Sequence, residues 1–572
     1  MKTLIIFTLA MAAVVFSFPE SAVQRSGGKK KMVCYIGTWA RYRPGDGKFL
    51  PEQADPKLCT HLMYGFAILK DNVISVHDPW GDLKDEWGGG HDGYKRFTAL
   101  KKQNPELKTL IAIGGWNEGS KKYSEMSASP SSRKTFVDSV IPFLEKYDFD
   151  GLDLDWEYPT QRDSENLEDR ENFSALVREL REAFNRAGKG YLLTAAVTPN
   201  TKTVEIAYEV PEIARDLDFI NVMCYDYHGF WDGHEFTGHN TPLYRHPRDE
   251  EFEPFYNAND TVTYWLQAGL PKEKLIMGMA LYGRGFTLAK SEDHGLYAPT
   301  NGGIPQGPYT KQAGIWGYNE ICEKFQEEPG QWKISINEHL KAPYAFNDRQ
   351  WIGYEDVESI YYKAEYARNM DLGGAMVWSL ETDDFKGKCH DEPYILLKTI
   401  VNTMNGDGLP NIPDRPEVVP EDEEGPIATT STPAETTSRP RPRPTRPQRP
   451  VTTTSSTPVE TVTSRKPRPT RPSRRTTTSS PQDSPTSPPV GDSPTGVCTE
   501  EGIFPAGNCS GFYQCVRQDN GFQKHDQLCP PGTAFNPDIK NCDHASNVEG
   551  CSKIVRASDA YRRTGQGLTT AV

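Results

Sequence analysis

The chain predicts an α/β fold: a (β/α)8 TIM barrel with an inserted α+β subdomain before its last strand. A disordered Pro/Thr/Ser linker and a small disulfide-rich β module should follow. Three observations lead there. Eight short apolar runs alternate with helix-like stretches across the first 400 residues. No aromatic residue occurs between Tyr394 and Phe504, and six of the 11 cysteines crowd into residues 498–551. At 572 residues the chain exceeds one ordinary domain.

Taken in order, Met1-Lys2 and the apolar run Leu4–Phe16 ending at Ser17 read as a secretory signal peptide, residues 1–17, with an N-terminal segment 18–30 after it. A buried N-terminal helix is the rival reading. The run is too short to span a bilayer, and no later stretch is long and apolar enough. The mature protein is expected to be secreted and extracellular, with no membrane partner. The barrel, residues 31–400, rests on eight runs: "KMVCYIGTW" (31–39), "HLMYGFAIL" (61–69), "KTLIAIGGW" (108–116), "FDGLDLDWE" (149–157), "YLLTAAVT" (191–198), "FINVMCYD" (219–226), "LIMGMALYG" (275–283) and "GGAMVWSL" (373–380). Between them "ENFSALVRELREAFNRAG" (171–188) carries apolar residues at helical spacing and a Gly stop. β-Runs with helical crossovers predict parallel strands closed into a barrel. The gap at about 284–372 is too long for a crossover and predicts the insertion.

Residues 401–497 are rich in Pro, Ser, Thr and Arg, with an acidic patch at Glu421–Glu424 and a loose repeat of "RPRPTRPQRP" type. Such a stretch buries too little apolar surface to fold and has the composition of an O-glycosylated stalk. The Arg-Pro runs could also be read as an anion-binding patch; a solvated spacer is the better reading. The last cysteines, C-x10-C-x5-C-x13-C-x12-C-x8-C over 498–551, spell a disulfide framework in a piece too small for an unaided core. Zinc is the weaker reading, since no CxxC pair occurs. A tail, 552–572, closes the chain. The net charge of -14 argues against nucleic acid as a partner.

"FDGLDLDWEYP" carries the chemistry. Alternation along a strand puts Asp153, Asp155 and Glu157 on one face and Leu152, Leu154 and Trp156 on the other. The apolar face should meet the helices, so the acids point into the barrel. Alternate residues lie roughly 6.6–7 Å apart, and burial with like charge raises carboxyl pKa values. Glu157, nearest the C-terminal mouth, is then poised as a general acid. A structural ion-pair cluster and a Mg²⁺ or Ca²⁺ site are the rivals. The strand carries no Lys or Arg, and it lacks the Asn and Gly turns of a hard-metal loop.

"DGLDLDWE" resembles the DxxDxDxE signature of glycoside hydrolase family 18, the chitinases. The resemblance spans roughly residues 31–395, with further matches at "GGWN" (114–117), "MCYD" (223–226), "YGRGF" (282–286) and "GGAMVWSLETDDF" (373–385). It implies that Glu157 protonates the glycosidic oxygen and that Asp155 orients and polarises the substrate's N-acetyl group, with Asp153 sharing a proton behind it. Tyr225 would hydrogen-bond the acetamido carbonyl, with Met223 and Asp226 lining the same pocket. Trp378 would form the floor, with Gly114, Gly115, Trp116 and Asn117 above the cleft. Tyr35, Phe66, Trp87, Tyr158 and Arg284 are further lining residues. The substrate would be chitin or chitooligosaccharides, with no cofactor and no metal, and the protein itself a monomer. Cys224 stands where family members often carry Ser or Thr.

"CSGFYQC" (509–515) and "CPPGTAFNP" (529–537) resemble the peritrophin-A type of chitin-binding module, carbohydrate-binding family 14. That resemblance implies the pairs Cys498–Cys515, Cys509–Cys551 and Cys529–Cys542, with Phe512, Tyr513, Phe522 and Phe535 as stacking candidates. For the barrel it implies Cys34–Cys59 and Cys322–Cys389, leaving Cys224 unpaired. Sequons stand at Asn172, Asn259 and Asn508. Two rivals share the fold: a catalytically dead chitin-binding lectin, which would lack the Glu at 157, and an endo-β-N-acetylglucosaminidase acting on N-glycans.

Overall fold

The computed structural model describes residues 30–84, 89–231, 235–251, 256–409 and 418–419, and in the C-terminal part 502–505, 511–518, 521–528, 533–536, 541–544 and 548. The signal segment, residues 410–417 and 420–497 of the expected linker, Trp87, Asn508, Cys498, Cys509, Cys529 and Cys551 lie outside the described residues, while the expected linker start at 401 falls inside the helix Ile395–Asn405. The chain divides into two units, Met1–Thr436 and Thr437–Val572.

In the first unit all eight apolar runs form strands: β1 (Lys31–Gly37), β2 (His61–Lys70), β3 (Lys108–Gly114), β4 (Gly151–Asp155), β5 (Leu192–Val197), β6 (Phe219–Val222), β7 (Leu275–Ala280) and β8 (Gly374–Trp378). Each pairs in parallel with its sequence neighbours, and β1 pairs with both β2 and β8, so the sheet closes. Closure leaves this parallel sheet no open edge. It also sorts each strand's side chains into inner and outer sets. On β4, Leu152 and Leu154 pack outward into the cluster that holds Phe173, Leu176, Val177 and Leu180 of the helix Asp169–Ala187. That helix stops at Gly188, whose φ of 65° suits a residue without a Cβ. Val33, Met63, Leu110, Phe219, Ile276 and Met376 fill the barrel interior.

The insertion begins at Tyr282, just before the expected 284, and its sheet ends at Gly353, short of the expected 372. Its antiparallel sheet runs from Tyr282–Leu288 to Gln350–Gly353 and is flanked by the helix Tyr318–Glu327. Residues Val357–Asn369 form a separate helix in the crossover to β8, started by Asp356, whose carboxylate accepts from Ser359 N at 2.8 Å. Cys322 on the insertion's helix bonds to Cys389, beyond β8, and Cys34 bonds to Cys59, with Cα separations of 6.0 and 6.1 Å. Cys224 is buried and free. No described helix is long and apolar enough to cross a membrane.

In the second unit Gly502–Pro505, Gly511–Gln518 and Gly521–Leu528 form an antiparallel sheet, and Thr533–Asn536 pairs with Asn541–His544. Phe512 and Tyr513 occupy the second of these strands, Phe522 the third and Phe535 the fourth; Cys515 and Cys542 also fall on strands.

Candidate active site

Strand β4 ends at Asp155, and Glu157 stands just past it at the barrel mouth. Asp153 is fully buried, and every neighbour that reaches it donates. Thr194 Oγ1 lies 2.5 Å from Oδ1, Tyr35 OH 2.6 Å from Oδ2 and Asn221 Nδ2 3.3 Å from Oδ1. Thr194 is its register partner on β5. Burial pushes the Asp153 carboxyl up to about 6 against those donors, which favour the charged form. Asp155 is also buried, and its Oδ1 has no hydrogen-bond partner among the described residues. Burial first, then the charges of Glu157 and Asp153, hold its pKa well above the usual carboxylate range. Burial, then the charge of Asp226, raises Glu157 to about 7, with Tyr158, Arg162 and the Trp116 backbone opposing. The alternation read from the sequence therefore places three carboxylates on one inner face, and the outermost holds a proton near neutrality.

Among the described residues the Tyr225 hydroxyl meets only the Met376 thioether, a weak acceptor, at 3.7 Å. It feels the charge of Asp155. Its ring lies against Gly278 of β7, where a Cβ would stand 3.0 Å from the ring and 2.6 Å from Val222 O. Met223 is buried beside it in the interior cluster. Asp226 accepts from Arg284 Nε at 2.6 Å and from the Tyr282 hydroxyl.

Trp378, at the end of β8, packs with Phe66 (ring centroids 5.9 Å apart), Tyr35 (5.6 Å) and Trp39 (6.1 Å). Tyr35, read as a lining residue, is buried against Trp378, and its hydroxyl donates to Asp153. Gly114 and Gly115 are glycines for a steric reason: at positive φ, a Cβ on them would meet Asp155 O at 2.1 Å and the Phe66 ring at 2.9 Å. They let the chain turn so that Trp116 stands 59% exposed, followed by the exposed Asn117. The Arg162 guanidinium lies 3.7 Å over the Trp116 ring and donates to Trp116 O (2.7 Å) and Glu157 O (3.1 Å). Tyr158 joins the edge of the interior cluster, and its carbonyl accepts from Ser120 Oγ at 2.8 Å. A cavity of about 100 Å³ opens between Asn200, Asp226, Tyr227, Trp231 and Tyr256.

A profile described as glycosyl hydrolases family 18 matches residues 31–383. The chain belongs to that family. It is a glycoside hydrolase, and a second match, to the chitin binding Peritrophin-A domain, covers residues 498–551. Chitotriosidase-1 of Mus musculus is 43% identical over 69% of this chain and 82% of that protein. Probable chitinase 10 of Drosophila melanogaster is 44% identical over 66% of this chain, which spans 16% of that much longer protein. The crystal structure of Ostrinia furnacalis Group IV chitinase in complex with allosamidin is 44% identical, with a TM-score of 0.62 over 66% of this chain and all of that one.

Several residues that hydrogen-bond or pack within this site escaped the sequence reading. Thr194 and Asn221 look like ordinary strand polars until barrel register sets them around Asp153. Trp39 sits in the short 3-10 helix Thr38–Tyr42 after β1, and Arg162 sits in a loop. Glu381 is fully buried beyond β8 and accepts from Gly37 N (3.0 Å) and Ser379 Oγ (2.7 Å), which locks the turn after Trp378 to the end of β1. Of the sequons, the Asn172 side-chain nitrogen is buried, and Asn259 is hydrogen-bonded to Asp260 and Tyr366. Among the described residues the one group at metal-ligand spacing is Cys322, Asp384 and Cys389, and its two cysteines are joined in a disulfide.

Proposed function

We propose that the barrel is a chitinase. It hydrolyses β-1,4 bonds between N-acetylglucosamine units with retained configuration, using the substrate's own acetamide as nucleophile. One observation carries this reading: among the described residues a buried acceptor without a partner, Asp155 Oδ1, stands near a Tyr225 hydroxyl that has only a thioether to donate to. An N-acetyl group offers the N–H and C=O that such a pair lacks. Ordinary retaining glycosidases place a second carboxylate about 5–5.5 Å from the acid as nucleophile, and this family is an exception.

In the proposed sequence Glu157 gives its proton to the glycosidic oxygen as the acetamide oxygen attacks C1 and the C1–O bond breaks. The oxazolinium that forms carries positive charge on nitrogen, beside Asp155. The Glu157 carboxylate then takes a proton from water, which adds to C1 and opens the oxazolinium ring. Two inversions at C1 give net retention. The tethered nucleophile gains from proximity, and Asp155 with Tyr225 stabilises the charge as it develops.

The strand order supports attack within chains. Glu157 after β4 and Trp378 on β8 lie on opposite sides of the ring. The Phe66–Trp116 side (β2, β3) and the Asp226–Trp231 side (β6) extend the mouth at right angles to them. The signal-like N-terminus and the peritrophin-A match fit a secreted enzyme that turns over cuticle or peritrophic matrix at moulting. The test is the anomer released first from N-acetylglucosamine oligomers, followed by NMR, with fully deacetylated chitosan in parallel. The β-anomer should appear first and chitosan should stay intact. First release of the α-anomer, or comparable cleavage of chitosan, would refute the scheme.

A further inference from the structure

Phe230, a large apolar side chain, is 48% exposed. It follows β6 in the segment His228-Gly229-Phe230-Trp231. Its ring rests on a shelf of glycines from the insertion: a Cβ added to Gly303, Gly314 or Gly302 would come within 3.1, 3.8 or 4.0 Å of Phe230 atoms. Any side chain at Gly303 would lift the ring. Gly229 has the same function for its neighbour, since a Cβ there would stand 2.0 Å from Trp231 and 2.5 Å from Arg284.

The register shows which way the shelf faces. Gly303 pairs with Phe286, two residues beyond Arg284 on the strand Tyr282–Leu288, so Gly303, Phe286 and Arg284 share one face. Arg284 uses that face to reach Asp226, and its guanidinium lies 5.1 Å from the Trp231 ring. Phe286 itself is fully buried in the insertion's core, so the part of this face that walls the cleft is the Arg284 end, where Gly229, next to Phe230, packs against both Arg284 and Trp231. In the barrel ring β6 lies opposite β2, so this arm runs away from Phe66 and Trp116.

We propose that Phe230 is a sugar-stacking platform that holds one further N-acetylglucosamine unit beyond Trp231, so that the enzyme favours long chains over short ones. The inference rests on the chitinase reading. A flat ring supported from below by backbone and 48% exposed offers the surface that the axial C–H face of a pyranose covers. An aliphatic residue on the same shelf would be as apolar but would not match that face.

The experiment compares wild type, Phe230→Ala, Phe230→Leu and Phe230→Tyr on N-acetylglucosamine trimer and hexamer. The ratio of kcat/KM for hexamer to that for trimer should fall about fivefold in the Ala and Leu variants, as loss of roughly half a buried phenyl face would give. The loss should appear in KM, and Tyr should restore the ratio. Hexamer binding to Glu157→Gln and to Glu157→Gln/Phe230→Ala, measured by calorimetry, should show the same fivefold difference. That arm reads Phe230 without any hydrolysis. An equal fall for both oligomers, an unchanged ratio, or full retention by Leu overturns the platform. Failure of wild type to cleave either oligomer, with the calorimetric difference intact, overturns the chitinase reading and leaves Phe230 as a chitin-binding residue.

Discussion

Replacing Glu157 by Gln keeps the side chain's size and removes its transferable proton. Burial and the neighbouring Asp226 charge hold Glu157 at about 7. About nine-tenths of the enzyme therefore carries the proton at pH 6, and about one-tenth at pH 8. The alkaline limb of kcat/KM should bend near pH 7 and fall tenfold per unit above it. Positioned general acids contribute about 10²–10⁴ in rate, or about 3–5.5 kcal/mol of barrier, so the variant should lose at least that factor at pH 6. Binding of a chitin oligomer should change little, because Gln fills the same space. Stability gives an independent reading. A carboxyl whose folded pKa is raised contributes stability below its unfolded pKa, which is lost as pH rises through the folded value. Glu157→Gln should therefore melt close to wild type near pH 4 and above it beyond pH 7. Hydrolysis of oligomers across pH 4–9, calorimetric binding and thermal melts test all three. A variant that keeps more than a few per cent of turnover, or that keeps a limb at pH 7, would show that another group is the acid.

Three further outcomes follow from the same geometry. Asp155→Asn should lower kcat far more than it raises KM, because its charge acts on the oxazolinium; a loss confined to KM in steady-state kinetics would count against it. Gly278→Ala pushes a methyl against the Tyr225 ring and Val222 O, so it should cost about 1–3 kcal/mol in denaturant melts and lower turnover as well. Normal kinetics in that variant would mean that the Tyr225 position is not critical. Truncation near residue 411 should leave soluble-oligomer cleavage intact and weaken adsorption to insoluble chitin, since about 85 tether residues give a reach of about 50 Å and a raised local concentration. Equal adsorption of the truncated chain to chitin particles would refute the tether.

Much of the site was legible because strand alternation is a local rule. With a period of two, Asp153, Asp155 and Glu157 had to share a face opposite Leu152, Leu154 and Trp156, and burial of that apolar face against the Asp169–Ala187 helix turned the acids inward. The eight apolar runs and the two barrel disulfide pairs were equally readable, the latter through family resemblance. The end of the insertion was less so, because the helix Val357–Asn369 lies between the inserted sheet and β8 and nothing local assigns it to one or the other.

The sequence by itself determined which residues face inward, because that follows from periodicity, and its short motifs carried the family resemblance from which the acid and the polymer are proposed. Only the tertiary structure decided what surrounds each acid. Tyr35 and Asn221 reach Asp153 from 118 and 68 residues away. Arg162 caps Trp116 from a loop, and Phe230 rests on glycines some 70–85 residues later in the chain. Such contacts depend on barrel closure and on space left by an absent Cβ, and neither leaves a periodic mark in the residues that make them.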